Sequence, residues 1–226
     1  MYQQITICIF VKSQVLSKET IASVLSKYVP APALDICTTW IVSKNIHLKI
    51  TRGRSSKFGD YMPLGPGKGH RITVNHDLNK YAFLITFVHE VAHLHCFEKY
   101  HRRHEPHGKE WKYEFRILLS DFVSQGIFPE DIQVALNKYL FNPAASSCSD
   151  HDLMRALKKY DAPHLESVVH LEDVPEKSIF RIHQTRGDFM FQKGQRRRTR
   201  FQCLELKTKR LYFVNALTEV IVLENV

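Results

Sequence analysis

The sequence lacks paired cysteines. Its five cysteines are scattered and none belongs to a Cys-x-x-Cys pair; they are Cys8, Cys37, Cys96, Cys148 and Cys203. This distribution argues against a disulfide framework and against a cysteine-bound zinc ribbon, and it favours a reducing compartment. We therefore expect a cytoplasmic protein that hydrophobic cores hold together.

Long apolar runs and a P-loop are also missing. The apolar run at residues 5–11 is too short to span a membrane, and it has neither a basic segment before it nor a small-residue cleavage site after it. We expect no signal peptide and no membrane partner. The glycine-rich segment 63–69 is not followed by Gly-Lys-Ser/Thr, which disfavours a phosphate-binding loop.

The composition is that of a globular protein with an excess of positive charge. The chain has 226 residues, long enough for one large domain or two small ones, and 44% of them are hydrophobic. The formal net charge is +9. A basic balance suits nucleic acid or another polyanion as a partner.

The segment 81–96, YAFLITFVHEVAHLHC, contains His-Glu-x-x-His at His89, Glu90 and His93. Residues four apart lie about 40° apart around a helix, so the two histidines can hold one metal ion. Glu90 lies beside that ion, where a carboxylate can act as general base toward water. The surrounding residues are apolar nearly all round, which predicts a central, buried helix. Histidines satisfied by hydrogen bonds in a core are the alternative to a zinc site.

A catalytic zinc site needs a third protein ligand and one open position. The candidates downstream of the motif are His101, His104, His107, Glu110 and Glu114. His95 is excluded because it lies about 200° round the helix from His93. The metzincin spacing is excluded because it would place a ligand at Lys99.

We favour His107 as the third ligand. Pro106 stops the local helix, and Gly108 frees the backbone so that the chain can enter a new helix. That helix, with Trp111 on its apolar face, can carry His107 back to the ion. His104 is the second choice, and Glu114 a third.

The motif His89-Glu90-Val-Ala-His93 followed by His107-Gly108-Lys-Glu-Trp111 resembles the SprT-like family of zinc metallopeptidases, which includes the Spartan DNA–protein crosslink proteases. Segments 57–61 and 71–75 are also similar to the family's strands before the metal helix, and the similarity covers about residues 15–140. The resemblance implies that His89, His93 and His107 bind one Zn²⁺ and that Glu90 is the catalytic glutamate. It also implies substrates that are proteins on DNA or crosslinked to it.

The predicted fold is α+β, with zincin-like helices beside a small antiparallel sheet. Apolar periodicity predicts helices at 17–28, 129–140 and 151–160, and strands at 39–42, 46–51 and 71–75, with turns between residues 53 and 69. An exposed edge of the sheet could pair with an extended peptide substrate.

Four segments are predicted along the chain. Residues 1–14 form an N-terminal extension, 15–141 the SprT-like metallopeptidase domain, 142–177 a linker with a short helix, and 178–226 a small antiparallel β module. Proteins of the SprT-like family often end in a four-cysteine zinc ribbon, but only Cys203 lies in this module. The module therefore has to form around a hydrophobic core without a metal.

A cationic segment lies on a predicted β-hairpin of that module. The candidate nucleic-acid contacts are Lys193, Arg196, Arg197, Arg198, Arg200 and Phe201. Cations beside an aromatic residue suit phosphate contacts and base stacking, although a charge run is also typical of a solvated face.

The sequence thus predicts a zinc metalloendopeptidase that acts on protein or peptide substrates, with DNA as a partner. A general peptidase without a DNA role is one alternative. The other is a nucleic-acid-binding protein with a structural or vestigial zinc site, which His104 and His107 together could close. The oligomeric state is not predicted.

Overall fold

The computed structural model describes residues 7–8, 17–54, 57–101, 105–141, 143, 150–161, 168–183 and 189–223. The chain divides into two compact units, Met1–Asp161 and Ala162–Val226. The helices are α1 (Lys18–Leu25), α2 (Leu34–Ser43), α3 (Lys80–Tyr100), α4 (Lys109–Ser124), α5 (Glu130–Phe141) and α6 (His151–Lys158). The strands are β1 (Ile7–Cys8), β2 (Ile46–Thr51), β3 (Gly59–Pro63), β4 (His70–Asn75), β5 (Val168–His170), β6 (Ile179–Ile182), β7 (Phe191–Arg197), β8 (Arg200–Glu205), β9 (Leu211–Asn215) and β10 (Glu219–Leu223). The predicted α+β class is confirmed.

Helix α3 is the centre of the first unit. Of its 21 residues, 13 are buried, which matches a sequence that is apolar on nearly every face. The helix begins after Asn79, whose side-chain oxygen accepts hydrogen bonds from the backbone N–H groups of Tyr81 (3.1 Å) and Ala82 (3.0 Å). Such a cap satisfies donors that have no partner within the helix.

Helix α6 belongs to the first unit. It buries its apolar face, including Leu153 and Leu157, in the core that α3 forms. The Asn79 amide donates to the Leu157 carbonyl (2.9 Å) and to Asp161 Oδ1 (2.6 Å). The boundary between the units therefore follows Asp161 and falls inside the segment 142–177, which the sequence predicts as a linker with a short helix.

The first sheet has the strand order β1-β2-β4-β3. Strands β2 and β4 are parallel, whereas β3 pairs with β4 and β1 with β2 antiparallel. The expectation of an antiparallel sheet is therefore wrong for its central pair, because β3 lies beyond β4 at the edge instead of between β2 and β4. The predicted strand 39–42 is also wrong, since those residues belong to α2.

The second unit contains a six-stranded antiparallel sheet with the order β5-β10-β6-β7-β8-β9. Its separate core includes Leu171, Phe180, Phe191, Cys203 and Val220. The predicted C-terminal β module is thus present. It starts earlier than residue 178, because β5 pairs with β10.

Among the residues that the structure describes, no helix combines the length and the apolarity needed to cross a membrane.

Candidate metal centre

Three histidine side chains converge where helix α3 meets the start of α4. The Nε2 atoms of His89 and His93 lie 3.3 Å apart. The Nε2 atom of His107 lies 3.1 Å from that of His89 and 3.0 Å from that of His93. Among the residues that the structure describes, no other group of three or more histidine, cysteine or acidic side chains brings its ligand atoms together in this way.

The triangle has the dimensions that a metal ion requires. A tetrahedral zinc ion with Zn–N distances of about 2.0–2.1 Å separates its nitrogen ligands by about 3.3–3.4 Å. A neutral imidazole has one donor nitrogen and one acceptor nitrogen, so three converging Nε2 atoms cannot all satisfy one another. The geometry and the donor set therefore fit a metal ion, and a His₃ set suits zinc.

Burial favours the metal-binding protonation state of two of the histidines, His89 and His107. Burial lowers the pKa of His89 well below its ordinary value, and repulsion from His93 and His107 lowers it further. Burial also lowers the pKa of His107. Neutral imidazole is the ligating form, so little proton release opposes metal binding at neutral pH.

His107 reaches the site through an unusual backbone conformation. Its φ angle is 60°, in the left-handed region, whereas Gly108 has an ordinary φ of −69° and is the N-cap of α4. The expectation that Gly108 supplies the backbone freedom is therefore wrong, because His107 itself makes the turn. Gly108 instead relieves crowding, since a Cβ there would make a tight contact of 3.1 Å with the Glu105 carbonyl oxygen.

Trp111 forms the wall behind the three histidines. Its ring centroid lies 4.5 Å from that of His89, 5.5 Å from His93 and 4.8 Å from His107. The indole N–H donates to the His89 carbonyl (3.3 Å), and Phe115 stacks on the Trp111 ring with a centroid distance of 4.9 Å. The sequence predicts Trp111 as a core residue. The structure adds that it fixes the orientation of the three imidazoles.

Glu90 follows His89 on helix α3, and its side chain lies against the start of strand β3. Its side chain is buried, and a Cβ on Gly59 would lie 2.5 Å from Glu90 Oε1. Burial raises the pKa of Glu90 to about 8, and the Asp60 carboxylate also raises it, whereas Lys57 and Arg54 lower it. A cation at the histidines would lower this pKa, because an opposite charge nearby favours the carboxylate.

Tyr61, also on β3, covers the outer side of His93. The two rings are nearly parallel, with an interplanar angle of 9° and a centroid distance of 6.4 Å. The Tyr61 hydroxyl and His70 Nδ1 form a hydrogen bond of 3.0 Å. The resemblance of segment 57–61 to a strand of the SprT-like family predicted a strand here, but nothing in the sequence indicated the contact between Tyr61 and His93.

The other candidate ligands lie elsewhere. Glu114 is buried on the far side of α3, where it accepts a hydrogen bond from Lys99 Nζ (2.6 Å) and lies 3.3 Å from His95 Nδ1. His101 and Glu110 are not part of the histidine group. His104 lies outside the described residues.

The predicted nucleic-acid residues in the second unit divide into buried and exposed groups. Lys193 and Phe201 are 4% and 7% exposed, so neither can contact a nucleic acid, and this part of the prediction is wrong. Lys193 Nζ donates to the carbonyls of Glu172 (3.2 Å) and Val174 and lies 3.9 Å from the Phe201 ring centroid. The alternation of β7 turns Lys193 inward together with Phe191, two residues earlier.

The arginines of the same hairpin are exposed. Arg196 has an acidic partner, since its guanidinium lies 3.8 Å from Glu172 Oε2. For Arg197, Arg198 and Arg200, the described residues provide no ion pair. These three guanidinium groups are therefore available to an anionic partner.

An exposed aromatic side chain lies on the neighbouring strand. Phe213 on β9 is 57% exposed and pairs with Gln202, while Arg200 pairs with Asn215. Paired residues share a sheet face with the residues two positions away, so Phe213 and Arg200 lie on the same face. No signal in the sequence identified Phe213, because residues 211–215 are four hydrophobic residues followed by an asparagine and show no alternation.

The fold and the site define a metallopeptidase-like domain, with three histidines around a metal position and a glutamate beside them. Residues 36–123 match the model of the SprT-like family, which is a metal-dependent family of the metallopeptidase type. The resemblance that the motifs carry is therefore confirmed over this segment. No curated protein and no solved structure matches the chain.

Proposed function

We propose that this protein is a zinc-dependent endopeptidase in which His89, His93 and His107 hold one Zn²⁺ and Glu90 is the catalytic acid–base. The observation that carries the proposal is the triangle of Nε2 atoms, 3.0–3.3 Å on each side, next to a buried carboxylate. The family match over residues 36–123 supports the same class of chemistry.

A bound zinc ion supplies Lewis acidity, which polarises a peptide carbonyl and lowers the pKa of a coordinated water toward ~7. Glu90 takes the proton from the attacking water and passes it to the leaving amine nitrogen, so that one carboxylate acts first as base and then as acid. Gly59 leaves room for this carboxylate, and Trp111 keeps the imidazoles in place.

The free edge of β3 is suited to bind the substrate backbone. The Phe58 carbonyl accepts from Asn75 N–H (2.9 Å), and Leu64 N–H donates to the Gly69 carbonyl (3.0 Å). Along β3, the residues that hydrogen-bond to the β4 side are therefore every second one from Phe58 to Leu64. The backbone N–H and C=O groups of Gly59 and Tyr61, which lie between them, point away from β4. An extended peptide that pairs with them would pass directly beside Glu90.

The proposed substrates are proteins bound to DNA or crosslinked to it. This part of the proposal is supported by the net charge of +9 and by the exposed Arg197, Arg198 and Arg200, for which the described residues provide no ion pair. Of these, Arg200 shares a sheet face with the exposed Phe213. Arginines can neutralise phosphates, and an exposed aromatic ring can stack on a base of single-stranded DNA.

The decisive experiment compares the wild type with Glu90→Gln on a purified histone substrate, with and without single-stranded DNA. The variant should keep stoichiometric zinc and lose about 10²–10⁴-fold in kcat, because only the proton transfer is removed. Wild-type activity in Glu90→Gln would refute the mechanism. Inactive wild type with full zinc occupancy would favour a binding protein with a non-catalytic site.

The DNA role is tested by replacing Arg197, Arg198 and Arg200 with alanine. The triple variant should lose DNA stimulation, and the log–log salt dependence of its binding should fall by about 2, since each phosphate contact on a single strand contributes about 0.7. A control that removes the same charge at Lys27, Lys138 and Lys159 should behave as the wild type. Equal losses in both variants would mean that only the net charge matters.

A further inference from the structure

A cavity of about 730 Å³ lies at the C-terminal end of α3. Its walls are the loop after α2, the turn between β3 and β4, the first residue of β4 and the last turn of α3. Its volume falls within the range of about 300–1,000 Å³ that is usual for ligand pockets. No step of the proposed mechanism uses this cavity.

The cavity is connected to the metal centre by strand β3. Gly59, at the start of the strand, lies against the Glu90 carboxylate, and Pro63, at its end, lines the cavity. Four residue steps at about 3.3 Å each separate these points by about 13 Å. A peptide paired with β3 would therefore place a side chain in the cavity three or four residues from the bond beside Glu90.

Side-chain contacts also connect the cavity to the metal centre. Tyr61 lies between the metal centre and the cavity, with its ring centroid 6.4 Å from that of His93 and 5.8 Å from that of His70. His70 lines the cavity. One aromatic layer thus separates the cavity from a metal-binding histidine.

One side of the cavity, formed by Phe97 and His70, is aromatic. The ring of Phe97 packs edge-on against His70, with a centroid distance of 6.0 Å and an angle of 75°, and lies 6.4 Å from the Tyr61 ring. Pro63 adds a further apolar surface. Aromatic rings prefer such offset and edge-to-face neighbours, which favours an aromatic occupant.

The cavity also carries little net charge. Lys44 Nζ lies 2.6 Å from Glu98 Oε2, so the two charges at this site offset each other. Burial lowers the pKa of His70, which favours its neutral form despite the nearby Glu98. Neither a basic nor an acidic side chain finds an uncompensated opposite charge here.

We propose that this cavity is a specificity pocket that binds a large aromatic side chain of the substrate, three or four residues from the cleaved bond. The inference rests on the proposed peptidase function and narrows its substrate class. It assigns Phe97 as the main determinant of the preference.

The test is a cleavage profile on a proteome-derived peptide library, with cleavage sites identified by mass spectrometry. Phe, Tyr and Trp should be enriched at least about tenfold at one position, three or four residues from the cleaved bond on one side, because burying such a side chain is strongly favourable. No preference there, or a preference for Lys and Arg, would overturn the proposal.

Two variants locate the preference. Phe97→Ala removes the aromatic wall, and Ser43→Trp fills the mouth of the cavity from an exposed position; both should reduce the enrichment below about twofold with unchanged zinc content. The control is Phe141→Ala, which truncates an aromatic side chain that is 88% exposed and should retain the full preference. Unchanged enrichment in both cavity variants would overturn the assignment.

A binding experiment separates this inference from the catalytic proposal. Fluorescent degenerate decapeptides with one position fixed as Phe, Lys or Ala are titrated into the Glu90→Gln protein, which cannot hydrolyse them if the mechanism is correct. Tighter binding of the Phe set, lost in Phe97→Ala, supports the pocket even if the wild type cleaves nothing. Equal affinity for the three sets refutes the pocket even if the wild type is an active peptidase.

Discussion

Replacing Gly59 with alanine should disable the site without touching a metal-binding residue. The added Cβ would lie 2.5 Å from Glu90 Oε1 and 2.8 Å from Thr86 Cγ2. Thr86 cannot move away easily, because it is buried and its hydroxyl donates to the Ala82 carbonyl at 2.8 Å. Either the Glu90 carboxylate or the start of β3 has to shift.

The expected loss of activity follows from the short distances between the added Cβ and its neighbours. Contacts below about 3 Å require a displacement approaching 1 Å, and a misplacement of that size costs about 10²-fold in rate. Inserting a methyl group into a packed site also costs about 1–3 kcal/mol in the free energy of unfolding. The three imidazoles are not among the nearest neighbours of the added atom, so the affinity for zinc should change little.

The assay measures kcat, zinc content and the urea midpoint for Gly59→Ala and for the control Gly53→Ala. At Gly53 the nearest obstacle is the end of the Asp77 side chain, which is half exposed and can turn away. We expect a selective loss of kcat in the first variant and none in the control. Wild-type kcat in Gly59→Ala would refute the position assigned to the Glu90 carboxylate.

Four further predictions concern metal binding and stability. His107→Ala should lose bound zinc on dialysis whereas His101→Ala retains it, and equal retention would exclude His107 as a ligand. Asn79→Ala should lower the free energy of unfolding by about 1–2 kcal/mol, measured by urea denaturation, because the α3 cap is lost. Lys193→Met should cost about 1–3 kcal/mol, since two backbone carbonyls lose their donor, yet leave DNA affinity unchanged. Chelation of zinc should lower the melting temperature reversibly; at a free zinc concentration 1,000 times Kd the ion stabilises by about 4 kcal/mol.

Helix α3 could be predicted because several independent features of its sequence agree. Its apolar residues leave no polar face, so it has to be central, and the four-residue spacing of His89 and His93 fixes their common direction. Asn79, the cap, could be recognised by type. Nothing in the local sequence indicated that Asn79 also holds Asp161, because that contact joins residues far apart in the chain.

The local propensities of the edge strand β3 favour turns, and only the resemblance of segment 57–61 to a strand of the SprT-like family indicated a strand there. Gly59 and Pro63 are turn-forming residues by propensity, and the strand shows no alternation of exposed and buried positions. It forms because β4 provides a partner and because α3 leaves space only for a glycine beside Glu90. Here the tertiary context overrides the local preference.

In the β7–β8 hairpin, the local sequence predicted exposed cations, and one of them is buried. A run of arginines and lysines favours a solvated surface, and this holds for Arg197, Arg198 and Arg200. Lys193 departs from it because strand alternation, together with two carbonyl acceptors, stabilises a buried ammonium group. The length of its side chain lets the charge reach those carbonyls from an inward-facing position.

The position of His107, the proposed third ligand, depends on the packing of Trp111. A non-glycine residue in the left-handed region costs about 1–3 kcal/mol, and the φ of 60° at His107 persists only if its surroundings stabilise it. Trp111 provides that stabilisation, because it is fully buried, contacts all three imidazoles and donates to the His89 carbonyl. Since the three histidines come from α3 and from the turn that precedes α4, any loosening of the contact between the two helices should weaken zinc binding before it unfolds either helix.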